Sequence, residues 1–276
     1  MRAVFLIAAF VCVLCVIFIC YFLFSSGLAP IAEYGPLKFI FGASWKPSSG
    51  LFGIAPMIVG SIYVTAGAII IGVPIGVLTA MFMSHFCQKK LYRVLKPAVS
   101  LLAGIPSVVY GFFGLLVMVP AARTLFGGVG GKSVFTASVL LGMMILPTVI
   151  SVSEAALRAV PTQYYEGALA LGASHERSVF FAVLPAAKSG VMTSIVLGIG
   201  RAIGEAMAVT MVAGNQPIFP ASLTSGVRTL TANIVQEMGY AADTHREMLI
   251  ATAVVLFVFI LLINLLLSAM KGSKRR

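Results

Sequence analysis

The stretch SGVMTSIVLGIGRAIGEAMAVTMVA, Ser189–Ala213, is apolar or small throughout except for two charges, Arg201 and Glu205. At about 1.5 Å per residue a helix of this length crosses a hydrocarbon core of about 30 Å. A charge at the centre of such a span costs roughly 2.5–3.5 kcal/mol on insertion scales, so two persist only where they face protein, water or a cargo. The stretch predicts a membrane span that handles something polar.

Working outward, apolar runs of comparable length recur at Val4–Phe24, Ile54–Met83, Pro97–Pro120, Val134–Val152 and Met248–Ala269. The chain is 60% hydrophobic and 10% charged, with a mean hydropathy of +1.06, more apolar surface than a soluble domain of 276 residues can hide. Lipid offers no partner to unpaired backbone groups, so a span is either a helix or part of a closed barrel. The period-two alternation of a barrel is absent, and the expected fold is all-α, polytopic, with six transmembrane helices.

Orientation follows from Lys and Arg in the connecting segments. With the N-terminus inside, twelve basic residues lie inside: Arg2, Lys89, Lys90, Arg93, Lys96, Arg158, Arg177, Lys188, Lys271, Lys274, Arg275 and Arg276. Six remain outside, namely Lys38, Lys46, Arg123, Lys132, Arg228 and Arg246. Both termini are therefore expected in the cytoplasm, and the formal charge of +11 reports topology, not nucleic-acid binding. The first run is longer than the core of a signal peptide and no small-residue cleavage pattern follows it, so it reads as a membrane helix. Cys12, Cys15 and Cys20 fall inside that helix and Cys87 on the inner side, with His85, His175 and His245 on different loops. No metal site is expected from that spacing.

Three segments follow: 1–53, a first helix with its external loop; 54–270, the core of the membrane domain; and 271–276, a basic tail. Outside, Ser25–Gly53 and Gly214–Arg246 are long and rich in Gly, Pro, Ser and Thr. Inside, 153–188 carries its own plan. Pro161 suits the first turn of a helix, Gly172 its stop, Ser174 the cap of a second helix with Glu176 in its first turn, and Pro185 its end. Two short helices bent around a glycine are expected to project beneath the membrane.

Within that segment Glu166-Gly167-Ala168, Gly172 and Leu184-Pro185 follow the spacing E-x-A-x3-G-x11-L-P. This resembles the loop motif E-A-A-x3-G-x9-I-x-L-P of permease subunits of ATP-binding-cassette importers, departing from it at Gly167 and Ala182. Two further stretches are similar to the phosphate-specific permeases of that superfamily: Ala103-Gly104-Ile105-Pro106-Ser107-Val108-Val109-Tyr110-Gly111 and Gly200-Arg201-Ala202-Ile203-Gly204-Glu205-Ala206-Met207-Ala208-Val209. Met211–Asn215 and Thr229–Ile234 resemble the PstC type more than the PstA type. The resemblance implies the type I importer permease fold in a bacterial cytoplasmic membrane. It implies a PstA-type second permease, a homodimeric PstB-type ATPase that binds ATP and Mg, and an external PstS-type phosphate-binding protein. Glu166, Gly167, Ala168, Gly172, Leu184 and Pro185 would then couple to the ATPase.

Physical chemistry bears on the span charges independently. Arg201 and Glu205 lie on one helical face and can pair, and Gly200 and Gly204 form a Gly-x3-Gly pattern that lets another helix come close. A guanidinium fork suits a tetrahedral oxyanion, with Glu205 restraining Arg201 when no anion is bound. An ion pair that only joins two helices is the competing reading. Pro74 and Pro106 remove helix donors within their spans, and Ser107 and Tyr110 offer hydroxyls beside the latter, serving either a pathway or packing.

Gly127–Ser133 imitates a phosphate-binding loop, but that motif requires glycine where Phe126 stands and a preceding strand. No arrangement for catalysis and no cofactor site is expected on this chain. Two alternatives stay open: a permease for another oxyanion or small polar solute, and an autonomous transporter or channel gated by the Arg201–Glu205 pair.

Overall fold

The computed structural model describes residues 1–128 and 130–272; residues 273–276 of the basic tail and Val129 of the glycine-rich loop lie outside the described residues. The helices are α1 (Arg2–Tyr34), α2 (Pro36–Phe41), α3 (Ala55–Met81), α4 (Lys89–Gly104), α5 (Ser107–Phe113), α6 (Val119–Leu125), α7 (Val134–Arg158), α8 (Thr162–Ala170), α9 (His175–Ser178), α10 (Leu184–Ala186), α11 (Lys188–Gly204), α12 (Met207–Val212), α13 (Leu230–Glu237) and α14 (Asp243–Gly272). Single π-turns extend α3 over Phe82–Phe86 and join α5 to α6 and α9 to α10.

Among the described residues five helical stretches are long and apolar enough to cross a membrane: Val4–Tyr34, Ala55–Phe86, Ser107–Leu125, Val134–Arg158 and Asp243–Leu266. A bent pair, His175–Ala186 and Lys188–Gly204, meeting at 72°, passes the same test only when its two helices are taken together. Among the described residues the fold is helical apart from a two-stranded hairpin in the loop between α2 and α3, β1 (Trp45–Lys46) and β2 (Leu51–Phe52), with Trp45 opposite Phe52. This hairpin and helix α13 give order to loops in which glycine, proline and hydroxyl content suggested little.

The core is the pair α3 and α7. Small residues let the backbones approach, as expected where lipid removes the usual hydrophobic drive between helices. A Cβ at Gly72 would stand 2.7 Å from the Gly142 carbonyl oxygen, so that crossing admits glycine alone. Around it Val64, Ala68, Leu140, Leu141, Met144 and Ile145 are almost wholly buried. The first segment, 1–53, packs onto the rest: Phe39, Trp45 and Phe52 share a core with Ile54, Met57, Leu230 and Leu249. Helix α1 packs on α14, where Phe24 meets Phe257 edge to face at 5.8 Å and Gly27 lies against Val254 and Ile250.

Three expected spans differ in detail. The first helix runs on to Tyr34, through Pro30, and not to Phe24. The third is interrupted: α4 ends at Gly104, Ile105 and Pro106 are extended, and α5 begins at Ser107. The clash between a proline ring and the residue before it disfavours helix at Ile105, and Pro106 has no N–H to continue the ladder. The fifth span is also two helices, α11 and α12, separated by an extended Glu205 and by Ala206.

Candidate functional site

The two interruptions lie side by side. Tyr110 of α5 is buried in one cluster with Ala202 of α11 and Ala208 of α12. At Gly111 the backbones of α5 and α12 are so close that a Cβ would meet Met211 Sδ at 2.6 Å. Irregular backbone at membrane depth requires partners for its freed polar groups, and both breaks find them. The Tyr110 hydroxyl donates to the Leu102 carbonyl at 3.0 Å, closing the end of α4. At the second break the Glu205 carbonyl accepts from Thr231 Oγ1 at 3.0 Å, and the Glu205 carboxylate accepts from the Ala208 N–H at 3.0 Å. Glu205 thus caps the first turn of α12, where a negative charge also complements the helix dipole.

Glu205 therefore does not pair with Arg201. The expected shared face depends on a continuous helix, and the break turns the carboxylate toward α12. Arg201 sits in the last turn of α11, half-buried, with no ion pair or hydrogen bond among the described residues, and within electrostatic reach of Tyr110. A cation in that turn is favoured by the negative end of the helix dipole, which offsets part of its cost. Gly200 and Gly204 do not admit a helix of this chain: nothing of it lies within 4 Å of where their Cβ atoms would be. Ser107, half-buried at the start of α5, makes no side-chain hydrogen bond among the described residues. Sequence and structure together leave an unpaired guanidinium and an open glycine strip where two spans break.

Between α7 and α11, helices α8 and α9 form the expected pair bent around a glycine. Helix α8 closes with hydrogen bonds from Gly172 N to Leu169 O at 2.9 Å and from Ala173 N to Ala168 O at 3.1 Å, the paired bonds of a Schellman end, with Gly172 at φ +82°. Ser174 caps α9, accepting from Arg177 N at 3.3 Å. Pro161 stands at the cap and not inside the first turn of α8. Pro185 does not end the second helix, which passes through it to Ala186; the π-turn Val179–Val183 just before it widens the ladder at the proline. Glu166 and Gly167 are exposed, Ala168 and Leu184 half-buried, Pro185 exposed. Tyr164, Leu171 and Phe181 leave 55%, 91% and 76% of their surface uncovered.

The root of this projection gathers residues that the sequence scattered. Tyr165 Oη and His175 Nδ1 lie 2.6 Å apart, the His175 ring meets Phe86 edge to face at 4.6 Å, and His85 lies beside Tyr165. His85 and His175 are thus neighbours, joining the loop to the end of α3, although no group suited to a metal occurs among the described residues.

Two buried carboxylates are further polar centres with no counterpart in the motifs. Glu154, 1% exposed near the C-terminal end of α7, accepts from Tyr92 Oη at 2.7 Å, Lys96 Nζ at 2.7 Å and Arg158 Nε at 2.9 Å. The hydrogen bond to this carboxylate raises the Tyr92 phenol above its ordinary pKa. Glu237, 5% exposed at the outer end, accepts from Arg228 on one oxygen and from Trp45 Nε1 at 2.8 Å on the other, with His245 Nε2 also 2.8 Å away. It ties the hairpin, α13 and α14 together. Glu237→Gln leaves buried donors without an acceptor, at a cost of about 1–3 kcal/mol. The expected result is a lower melting temperature of the purified protein in detergent, which a thermal scan against wild type measures.

Residues 72–275 match the family model described as "Binding-protein-dependent transport system inner membrane component". The probable ABC transporter permease protein YqgH of Bacillus subtilis is 38% identical over 244 residues, 86% of this chain and 79% of that protein. The phosphate transport system permease protein PstC of Mesorhizobium japonicum is 33% identical over 261 residues, 87% of this chain and 80% of that protein. Among solved structures, the inward-facing MetNI methionine ABC transporter aligns with a TM-score of 0.66 at 20% identity, over 84% of this chain and 100% of that one. A bacterial alginate ABC transporter aligns with a TM-score of 0.66 at 15% identity, over 98% and 94%. The family model spans most of the chain and the fold is shared with these transporters, so the chain belongs to the family of inner membrane components of binding-protein-dependent transport systems.

Proposed function

We propose that the protein is one permease subunit of an ATP-driven importer of inorganic phosphate, with both termini in the cytoplasm. The observation that carries this reading is Arg201, a guanidinium without an ion pair among the described residues, beside two adjacent helix breaks. A planar fork of donors binds two oxygens of a tetrahedral anion at once, and an arginine not already held by a carboxylate has those donors to offer. Relatives named as phosphate permeases over most of the chain support phosphate as that anion.

The remaining parts fall into place around that site. The open strip at Gly200 and Gly204 suits a PstA-type subunit supplying the other wall of the pathway. The exposed apolar residues around Gly172 suit a PstB-type ATPase, which holds ATP and Mg and passes its movement through Glu166–Pro185. The outer loops receive a PstS-type phosphate-binding protein. Glu205 positions α12 and does not restrain Arg201, so a gate built on an Arg201–Glu205 pair loses its geometric basis, and with it the autonomous channel. The test is labelled-phosphate uptake by the four-component complex in proteoliposomes. Uptake that requires ATP and is not displaced by excess sulfate is expected. Preferential displacement by sulfate, or uptake by this chain without ATP, defeats the reading.

A further inference from the structure

The buried carboxylate at the inner end of α7 joins three separate elements at the point where the chain leaves the membrane for the cytoplasmic loop. Arg158, the last residue of α7, donates to Glu154 and, through Nη2, to the Met83 carbonyl in the π-turn that ends α3, at 3.0 Å. Its guanidinium also lies 4.6 Å over the Tyr92 ring. Tyr92 and Lys96 bring in α4 from the other side. Six residues beyond Lys96, the Leu102 carbonyl accepts from Tyr110, whose ring lies within electrostatic reach of Arg201. One short helix, α4, thus connects the root of the loop to the break at the pathway.

A buried ion pair is a poor source of net stability, because removing two charges from water costs about what their attraction returns. An apolar residue at 154 would fill the same space, so stability alone does not account for a carboxylate there. What a carboxylate with three directional partners supplies is a fixed spatial relation among α3, α4 and α7. Lys96 and Arg158 keep 40% and 46% of their side-chain surface exposed, so both can turn to water if the carboxylate is lost. The fold then survives while the relation slackens.

We propose that Glu154 is a positioning residue for transport: it holds Lys96 and Arg158 together so that displacement of the cytoplasmic loop moves α4, and through Leu102 and Tyr110 the break beside Arg201. This inference rests on the importer reading, and spatial continuity becomes coupling only when it is measured. The measurement is phosphate moved per ATP hydrolysed by the assembled complex in proteoliposomes. Glu154→Gln is expected to lower that ratio at least tenfold with ATPase activity within twofold of wild type and all subunits co-purifying. Lys96→Gln is expected to lower it less, and the double variant to be no worse than Glu154→Gln alone, since both changes cut one connection. An unchanged ratio in the single variants, or losses that multiply in the double variant, overturns the proposal. If Glu154→Gln fails to assemble, an unchanged ratio in Lys96→Gln overturns it, and a lowered ratio with intact assembly supports it. A wild-type complex that moves no phosphate overturns the importer reading and this inference with it.

Discussion

Arg201→Gln is expected to reduce phosphate uptake at least 100-fold while the permease still assembles with its ATPase. Glutamine is shorter and keeps one amide donor group, but neither the charge nor the fork. Each charge-assisted hydrogen bond to the anion contributes about 1.5–3 kcal/mol, so losing two removes roughly 3 kcal/mol or more, which is two decades or more in rate. Assembly is expected to persist because Arg201 has no ion pair or hydrogen bond among the described residues, and no buried partner is orphaned by its removal. Arg201→Lys keeps the charge without the bidentate geometry and should retain an intermediate rate. The comparison of initial uptake rates with co-purification from the same membranes checks this. Loss of the assembled complex in Arg201→Gln would place the arginine in structure and not in cargo handling.

Gly172→Val is expected to abolish association with the ATPase and, with it, uptake. The glycine sits at φ +82°, in the left-handed region, and nothing lies within 4 Å of where a Cβ would be. Space is therefore not the obstacle; the backbone conformation is. A residue with a Cβ costs about 1–2 kcal/mol there, and a β-branched one more. In a segment held by few contacts that is enough to dissolve the Schellman end and change the angle between α8 and α9. Gly172→Asn, which tolerates the same conformation, should keep most of the association. Equal loss in Asn and Val variants, followed by ATPase pull-down, would point to the glycine surface and not its backbone.

The parts of this structure legible in the sequence are those governed by short-range rules. Hydropathy locates the five long apolar helices, Pro106 marks the first break through the steric rule for its preceding residue, and Gly172 and Ser174 set the ends of α8 and α9. The second break had no comparable signal. Gly204-Glu205-Ala206 reads as a continuation of an apolar helix, and what opens it is tertiary: Thr231, 26 residues away, takes the Glu205 carbonyl, and the side chain turns to cap α12. That single difference converts a predicted ion pair into an unpaired arginine. The carboxylates Glu154 and Glu237 were missed for the same reason, since their partners lie as far as 62 and 192 residues off. A faint signal existed in each case, an acidic residue close to a membrane boundary in a chain with only 8 of them.

The contact of α1 with α14 carries a consequence for how the protein is made. Gly27 rests against Val254, a residue near the other end of the chain. At a synthesis rate of about 5–20 residues per second, the first helix to enter the bilayer waits on the order of ten to forty seconds before its partner is translated. During that interval the middle of the helix lacks this partner, which suits a helix of 33 residues whose only charges, Arg2 and Glu33, stand at its two ends. A polar residue in the middle of α1 would be paired to nothing in this chain for the whole of that wait, so the apolar purity of the segment is a requirement of biogenesis as much as of the finished fold.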